Sequence, residues 1–189
     1  MLTRCGSMCG MKLYRYRPIN EYTFSEITEK RAWFSNYAEL NDPFEGVYVN
    51  KSNEYAIDQV IKRFHACCFS EINDSLLLWA HYAENHKGIC LEYDFPDDAL
   101  TQFISIRYSD SQPVLERVVR FYEGDNNAGA LSIRIGPDAA VFLTKSLDWK
   151  YEHEWRMLHV AENSLGKGGA SSSRETVGHI LGTSHRRSS

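Results

Sequence analysis

Hydrophobic and polar positions alternate most clearly at two places, and each predicts a strand. Leu13-Tyr14-Arg15-Tyr16-Arg17 puts Tyr14 and Tyr16 on one face and Leu13, Arg15 and Arg17 on the other, with Pro18 as the stop. Ile89, Leu91, Tyr93 and Phe95 alternate with Cys90, Glu92 and Asp94, the period-two pattern of a half-buried strand. Shorter apolar runs predict strands at 32–35, 66–70 and 104–108, and E-W-R-M-L-H-V at 154–160 reads as the last core strand. Helical spacing appears at 52–64 (Ile57, Val60, Ile61, Phe64) and 113–123 (Leu115, Val118, Val119, Tyr122). Short helices are expected at 23–31 and after Asp97 or Asp98, a loop at 125–129, and either helix or strand at 139–145.

The stretch from Asp74 to Phe95 organises this pattern. Asp74 or Ser75 can cap a helix by accepting a bond from a free backbone N–H. Gly88 is expected to end it in the left-handed conformation, with His86 and Lys87 on the negative end. A strand follows at once. Asn41-Asp42-Pro43-Phe44-Glu45-Gly46 is built of residues that favour a bend. Helices and short strands in mixed order predict an α+β fold, a mainly antiparallel sheet with flanking helices in a single domain over 11–165. Residues 1–10 read as a disordered lead, which makes Met11 the more natural start. The Gly/Ser-rich tail at 166–189, with a remnant strand at 177–181, reads as a truncated or shifted end.

Composition narrows the classes. The chain has 189 residues, 43% hydrophobic, which suits one globular domain with a genuine core. A formal net charge of −4 gives no bulk attraction for nucleic acid or an anionic membrane. The first residues lack a sustained apolar region, so cytoplasmic residence is the expectation. Of the five cysteines, Cys5 and Cys9 have a zinc-like spacing but no second ligand pair follows. Cys67 and Cys68 are adjacent in a strand and point to opposite faces, so they are expected to be reduced, buried thiols.

Three constellations could carry chemistry. His81 and His86 are five residues apart, so on one helix they diverge by roughly 140° and cannot form the same-face pair of a helical zinc motif. For His81 a functional role stands beside a bond to backbone or to Asn85; for Trp79 and Tyr82 core packing stands beside a place in a site. Asp42 and Glu45 are carboxylates near a rigid turn, able to bind a cation, orient an arginine or act as acid and base. The competing reading is an Asx-turn, which is the expectation for Asn41. In K-S-L-D-W-K-Y-E-H-E-W-R, Glu152 and Glu154 share a face if the strand has already begun, and each raises the other's pKa. Arg156 shares that face, and a Glu154–Arg156 surface pair would contribute about 0–1 kcal/mol.

The ordered motifs L-Y-R-Y-R, A-W-F-S, N-D-P-F-E, C-F-S, L-W-A-H-Y-A-E-N-H-K-G-I-C-L-E-Y-D and W-K-Y-E-H-E-W-R resemble a bacterial family known as domain-of-unknown-function family 2971. The likeness runs from Leu13 to about Val160, and the tail departs from it. A more distant resemblance is to compact bacterial ADP-ribosyltransferases, which carry a basic residue on the first strand, an aromatic-Ser strand and a glutamate opening a late strand. Arg15 or Arg17, Phe34-Ser35 or Phe69-Ser70, and Glu154 occur here in that order. That resemblance implies an arginine on the dinucleotide phosphates and a glutamate that stabilises an oxocarbenium-like state as nicotinamide leaves.

Three functions follow as expectations. The first is an enzyme using a nucleotide or NAD, a transferase or glycohydrolase in a toxin or phage-defence role. It has Glu154, His81 and Glu152 as catalytic groups and Arg15, Arg17, Ser70, Trp79, Tyr82, Asp42 and Glu45 around the ligand. No cofactor is required, since NAD is the substrate. The second is a non-catalytic ligand- or partner-binding module with an aromatic pocket. The third is a metal-dependent hydrolase using His81, His86, Asp42 and Glu45.

Overall fold

The computed structural model describes residues 10–45, 47–50, 64–115, 140–160, 177–179 and 185–187. In chain order the strands begin with β1 (Met11–Arg17), β2 (Arg31–Trp33), β3 (Ser35–Asn36), β4 (Val49–Asn50), β5 (Phe64–Ser70) and β6 (Ile89–Phe95). They continue with β7 (Ile104–Ser105), β8 (Arg107–Tyr108), β9 (Val114–Leu115), β10 (Thr144–Lys145), β11 (Glu154–Val160), β12 (Val177–His179) and β13 (His185–Arg187). The α-helices are α1 (Glu21–Glu29), α2 (Leu76–Tyr82) and α3 (Ala140–Leu143).

The main sheet runs β13-β6-β1-β5-β11-β7, with β3 also on β5, and every pairing in it is antiparallel. Short separate pairs join β8 to β10 and β4 to β9 in parallel and β12 to β2 antiparallel. The fold is therefore α+β with a mainly antiparallel sheet, as the mixed order of elements predicted. Among the described residues no helix is long and apolar enough to cross a membrane.

One irregularity in this sheet opens a cleft. β1 pairs with β6 along its whole length, from Met11↔Phe95 to Arg17↔Ile89. Its other edge meets β5 at one position, Tyr14↔Ser70. The N-terminal half of β5 turns instead to β3, through Ser35↔Ala66 and Asn36↔His65. Thus β1 and β5 part company after a single pair and leave a split in the sheet.

Strand alternation sorts the core onto two faces. Leu13, Cys67, Phe69, Leu91, Tyr93 and Phe95 pack on one, with Ile27 of α1 against them. On the other, Tyr16 and Cys90 of the sheet pack against Leu78 of α2 and Ala83 at its end. Beside them Tyr37, Phe64 and Ala66 pack against Val141 and Phe142 of α3, where Phe64 stacks on Phe142 at 4.2 Å. Cys67 and Cys68 fall on opposite faces as expected, and with Cys90 they are free thiols.

Several boundaries differ from the sequence expectation, each for a local reason. The first helix starts earlier than residue 23 because Asn20 accepts from Thr23 N at 3.0 Å, and it stops at Glu29 because Lys30 is left-handed at φ 54°. The strand at 32–35 is two strands interrupted at the buried Phe34. That at 104–108 is interrupted at Ile106, whose N–H donates to the Glu154 carbonyl at 2.9 Å. There the chain changes partner, from β11 to β10. The segment 139–145 is both things, helix and then strand. Val114–Leu115 is strand, not the start of a helix, and the rest of the helix expected at 113–123 lies outside the described residues. So do 51–63, the loop at 125–129 and the lead before Gly10; Phe64 opens β5 and does not close a helix. The strand expected near 177–181 is Val177–His179, and a further one at His185–Arg187 adds to the edge of the main sheet beside β6.

The organising helix is shorter than its composition predicted. Ser75 caps it, accepting from Leu78 N at 3.4 Å, and it ends at Tyr82. Glu84, Asn85 and His86, not Gly88, take the left-handed conformation, with φ of 50°, 52° and 68°. Gly88 serves a different need. A Cβ there would come within 2.2 Å of the Arg17 carbonyl oxygen and 2.8 Å of Ala83 Cα, so only glycine lets the turn pass the end of β1.

Candidate functional site

Where β1 and β5 part, a cleft of about 230 Å³ opens. β1 contributes Tyr14 to Arg17, β5 contributes Ala66 and Cys68 to Ser70, and Tyr82, Lys145, Glu152, Glu154 and Arg156 line the rest with Glu45. Ser70 is the hinge of the arrangement. It pairs with Tyr14 on one side and with Glu154 on the other, so the three residues form one row across adjacent strands and share a face. Its hydroxyl donates to the Glu152 carbonyl at 2.6 Å and accepts from Ile72 N at 2.9 Å, which ties the end of β5 to the residues that precede β11.

The charged groups converge on Lys145. Its Nζ donates to Glu152 Oε2 at 2.6 Å and Glu154 Oε2 at 3.3 Å, and it lies 4.6 Å from the Trp149 ring centroid. Arg156 donates from Nε to Glu154 Oε1 at 2.6 Å and from Nη2 to Oε2 at 2.9 Å, a two-pronged pair. The same Nη2 reaches Glu45 Oε1, while Nη1 reaches the Phe142 carbonyl at 3.3 Å and Tyr37 OH at 3.4 Å. Tyr82 OH donates to Glu152 Oε1 at 2.5 Å and accepts from Asn41 Nδ2 at 2.7 Å.

Position then sets protonation. Burial alone would raise the Glu154 carboxyl, but Arg156 and then Lys145 outweigh it and hold the group at about 2. Glu152 moves the other way: burial raises it, Lys145 opposes, and the neighbouring Glu154 charge adds to the rise. Burial also raises Glu45 against the pull of Arg156 and Lys145. Burial raises Tyr82, and the Glu152 charge adds to it. The arrangement therefore sets two carboxylates two residues apart in opposite directions: Glu154 is held as a fixed anion, and Glu152 has its affinity for protons raised.

Two expectations about these carboxylates need correction. Strand geometry does not put Glu152 and Glu154 on one face, because Glu152 ends a 3-10 helix (Leu147–Glu152) and His153 is left-handed at φ 44°. They meet because both turn to Lys145. Nor is Glu154–Arg156 a surface pair, since 5% and 1% of the two side chains are exposed.

The remaining sequence candidates are scattered. The Arg15 guanidinium is on the other face of the sheet, donating to Glu26 Oε1 at 2.5 Å and the Trp33 carbonyl at 3.4 Å. Tyr93 OH also donates to Glu26 Oε1. Arg17 Nε is 3.4 Å from Glu26 Oε2 without hydrogen-bond geometry, and its side chain is 21% exposed. His81 is exposed and lies against Tyr82, Trp149 and Tyr151, outside the lining of the cleft. Trp79 meets Tyr16 edge-on at 5.3 Å and packs with the core under α2. In the 41–45 loop the roles are exchanged: Asp42, not Asn41, makes the Asx-turn, accepting from Phe44 N at 2.9 Å, and Asn41 reaches Tyr82. Among the described residues, no group of three His, Cys, Asp or Glu side chains could hold a metal ion.

Lys145, Asn41 and Tyr37 are the members that sequence reasoning passed over. Lys145 had one usable signal. It ends the run A-A-V-F-L-T-K, and a lysine carried into a core by apolar neighbours must find an anion there.

Residues 78–157 match the family described as "Protein of unknown function (DUF2971)". The resemblance drawn from the motifs holds over that stretch, which runs from α2 into β11 and includes Tyr82, Lys145, Glu152, Glu154 and Arg156. No curated protein and no solved structure matches the chain.

Proposed function

We propose that the cleft is the active site of an enzyme that uses a nucleotide, with NAD as its substrate, in an ADP-ribosyltransferase-like transfer or a glycohydrolysis. What supports this is the row Tyr14–Ser70–Glu154 at the split in the sheet. A first strand, an aromatic-Ser strand and a glutamate opening a late strand are far apart in sequence and adjacent here.

In this reading the bond from ribose C1′ to nicotinamide breaks, and its electron pair leaves with the nicotinamide nitrogen. Glu154 is the fixed anion near the positive charge that develops on the sugar. The nucleophile, water or an acceptor group, attacks C1′ and gives its proton to Glu152, the carboxylate whose affinity for protons burial has raised. Tyr82 holds Glu152 in place through its hydroxyl. Arg15 and Arg17 share one face of β1 and both turn to Glu26, so the phosphate contact is assigned to neither.

The test is release of nicotinamide from NAD by the purified chain, with binding followed by thermal shift. NAD at 100 times its dissociation constant adds about 2.7 kcal/mol of stability. Glu152→Gln should lower release by about 100-fold or more while the protein stays folded. Neither shift nor release with the wild type would sink the reading. A second reading, a non-catalytic module binding a small ligand in the same cleft, draws on one observation. Both oxygens of Glu154 are already taken by Arg156 and Lys145, as in a purely structural ion pair. It predicts a thermal shift without turnover, unchanged by Glu152→Gln.

A further inference from the structure

One buried atom of the cleft has no role in that chemistry. Glu45 lines the cleft with 2% of its side chain exposed; Oε1 goes to Arg156, and Oε2 has no partner among the described residues. The atom is held in place from behind. Asp42 accepts from Phe44 N at 2.9 Å through its side chain and from Glu45 N at 3.0 Å through its carbonyl, so the loop presents Glu45 from a closed turn.

Charge decides what such an atom would take. Glu45, Glu152 and Glu154 face Lys145 and Arg156, and none of these five side chains is more than 5% exposed. With all five groups ionised, three anions against two cations leave the cluster with one negative charge in excess, in a place where water cannot supply the difference. Burial pushes the Glu45 carboxyl up against the pull of Arg156 and Lys145.

We propose that Glu45 is the cleft's selector for positive charge, its free oxygen receiving a cationic group of the ligand. This rests on the NAD reading, in which the group is the oxidised pyridinium ring, and it excludes the neutral ring of the same size. An anionic end of the ligand is handled elsewhere, because Lys145 and Arg156 are already engaged by carboxylates.

Two probes of nearly equal size separate charge from shape: the N-methylnicotinamide cation and neutral nicotinamide. Each is titrated into the full chain by calorimetry or ligand-observed NMR. The cation should bind at least roughly tenfold more tightly, within the range of close charge pairs at interfaces. Glu45→Gln should bring the ratio near one, and Glu45→Asp, which keeps the charge, should preserve a preference. Equal binding of the two probes, binding of neither, or a preference that survives in Glu45→Gln overturns the proposal. Should Glu45→Gln not fold, the wild-type ratio decides alone. The enzymatic reading is judged separately by nicotinamide release: a cation preference without release removes the enzyme and leaves the selector.

Discussion

Lys145 Nζ lies 2.6 Å from Glu152 Oε2, with 2% and 4% of the two side chains exposed. Glu154 Oε2 lies 3.3 Å from the same nitrogen, so one ammonium keeps two buried carboxylates together. Replacing it by methionine removes the charge and keeps most of the volume. Lys145→Met should destabilise the fold by about 3–5 kcal/mol, the range for breaking a buried pair from one side. In Lys145→Met/Glu152→Gln part of that loss should return, because one of the stranded charges is gone. Urea denaturation of the four proteins in this cycle checks it.

Arg156 gives a sharper contrast between surface and interior. An exposed Glu154–Arg156 pair would be worth about 0–1 kcal/mol. With both groups buried and Glu45 on the same guanidinium, Arg156→Met should lower stability by about 3–5 kcal/mol. Arg156→Lys keeps the charge but not the two-pronged contact with Glu154, and should fall between the wild type and Arg156→Met. A thermal melt of the three proteins that found Arg156→Lys equal to wild type would remove the two-pronged contact from the account.

Gly88→Ala should be costly although the residue is not left-handed. The added methyl meets backbone, at 2.2 Å from the Arg17 oxygen and 2.8 Å from Ala83 Cα, and neither atom can rotate away. Overpacking of this kind costs about 1–3 kcal/mol. Hydrogen exchange should show the loss first in the 83–88 turn and the end of β1. The more permissive Asn85→Gly, at φ 52°, should be neutral or stabilising, because it relieves a left-handed residue of its Cβ.

The carboxylates should give stability a two-signed dependence on pH. Glu154 falls from 4.5 to about 2 on folding, so its contribution is complete above the unfolded value and is lost as pH drops through about 2. Glu152 is raised by burial, against Lys145. Its contribution has the opposite sign: it is present below the unfolded value and lost as pH rises through the higher folded one. Glu152→Gln therefore should gain stability relative to wild type as pH rises above the unfolded carboxylate value. Glu154→Gln should lack the steep acid limb. Denaturation curves as a function of pH distinguish the two variants.

How the site was assembled was only partly written in the chain. Alternation in 13–17 and 89–95 specifies strands and their two faces, and β1 and β6 occur there because side-chain direction along a strand is a local property. The Ser75 cap and the bend at 41–45 are equally local, each needing one side-chain oxygen near a free N–H. Pairing partners are not. Ser70 lies between Tyr14 and Glu154 because β5 joins β1 to β11, strands separated by more than a hundred residues, and hydrophobic period carries no record of which edge meets which. That order puts Tyr14 on the cleft face and turns Arg15 away to Glu26. Arg156 follows the same logic. Its spacing from Glu154 predicts a pair, but only the covering of β11 by Tyr37 and Phe142 makes that pair buried. The chain's alternation thus determined strands and faces, and single polar residues the caps; tertiary packing decided which charges lost their water, and with it which carboxylate was held as a fixed anion and which had its proton affinity raised.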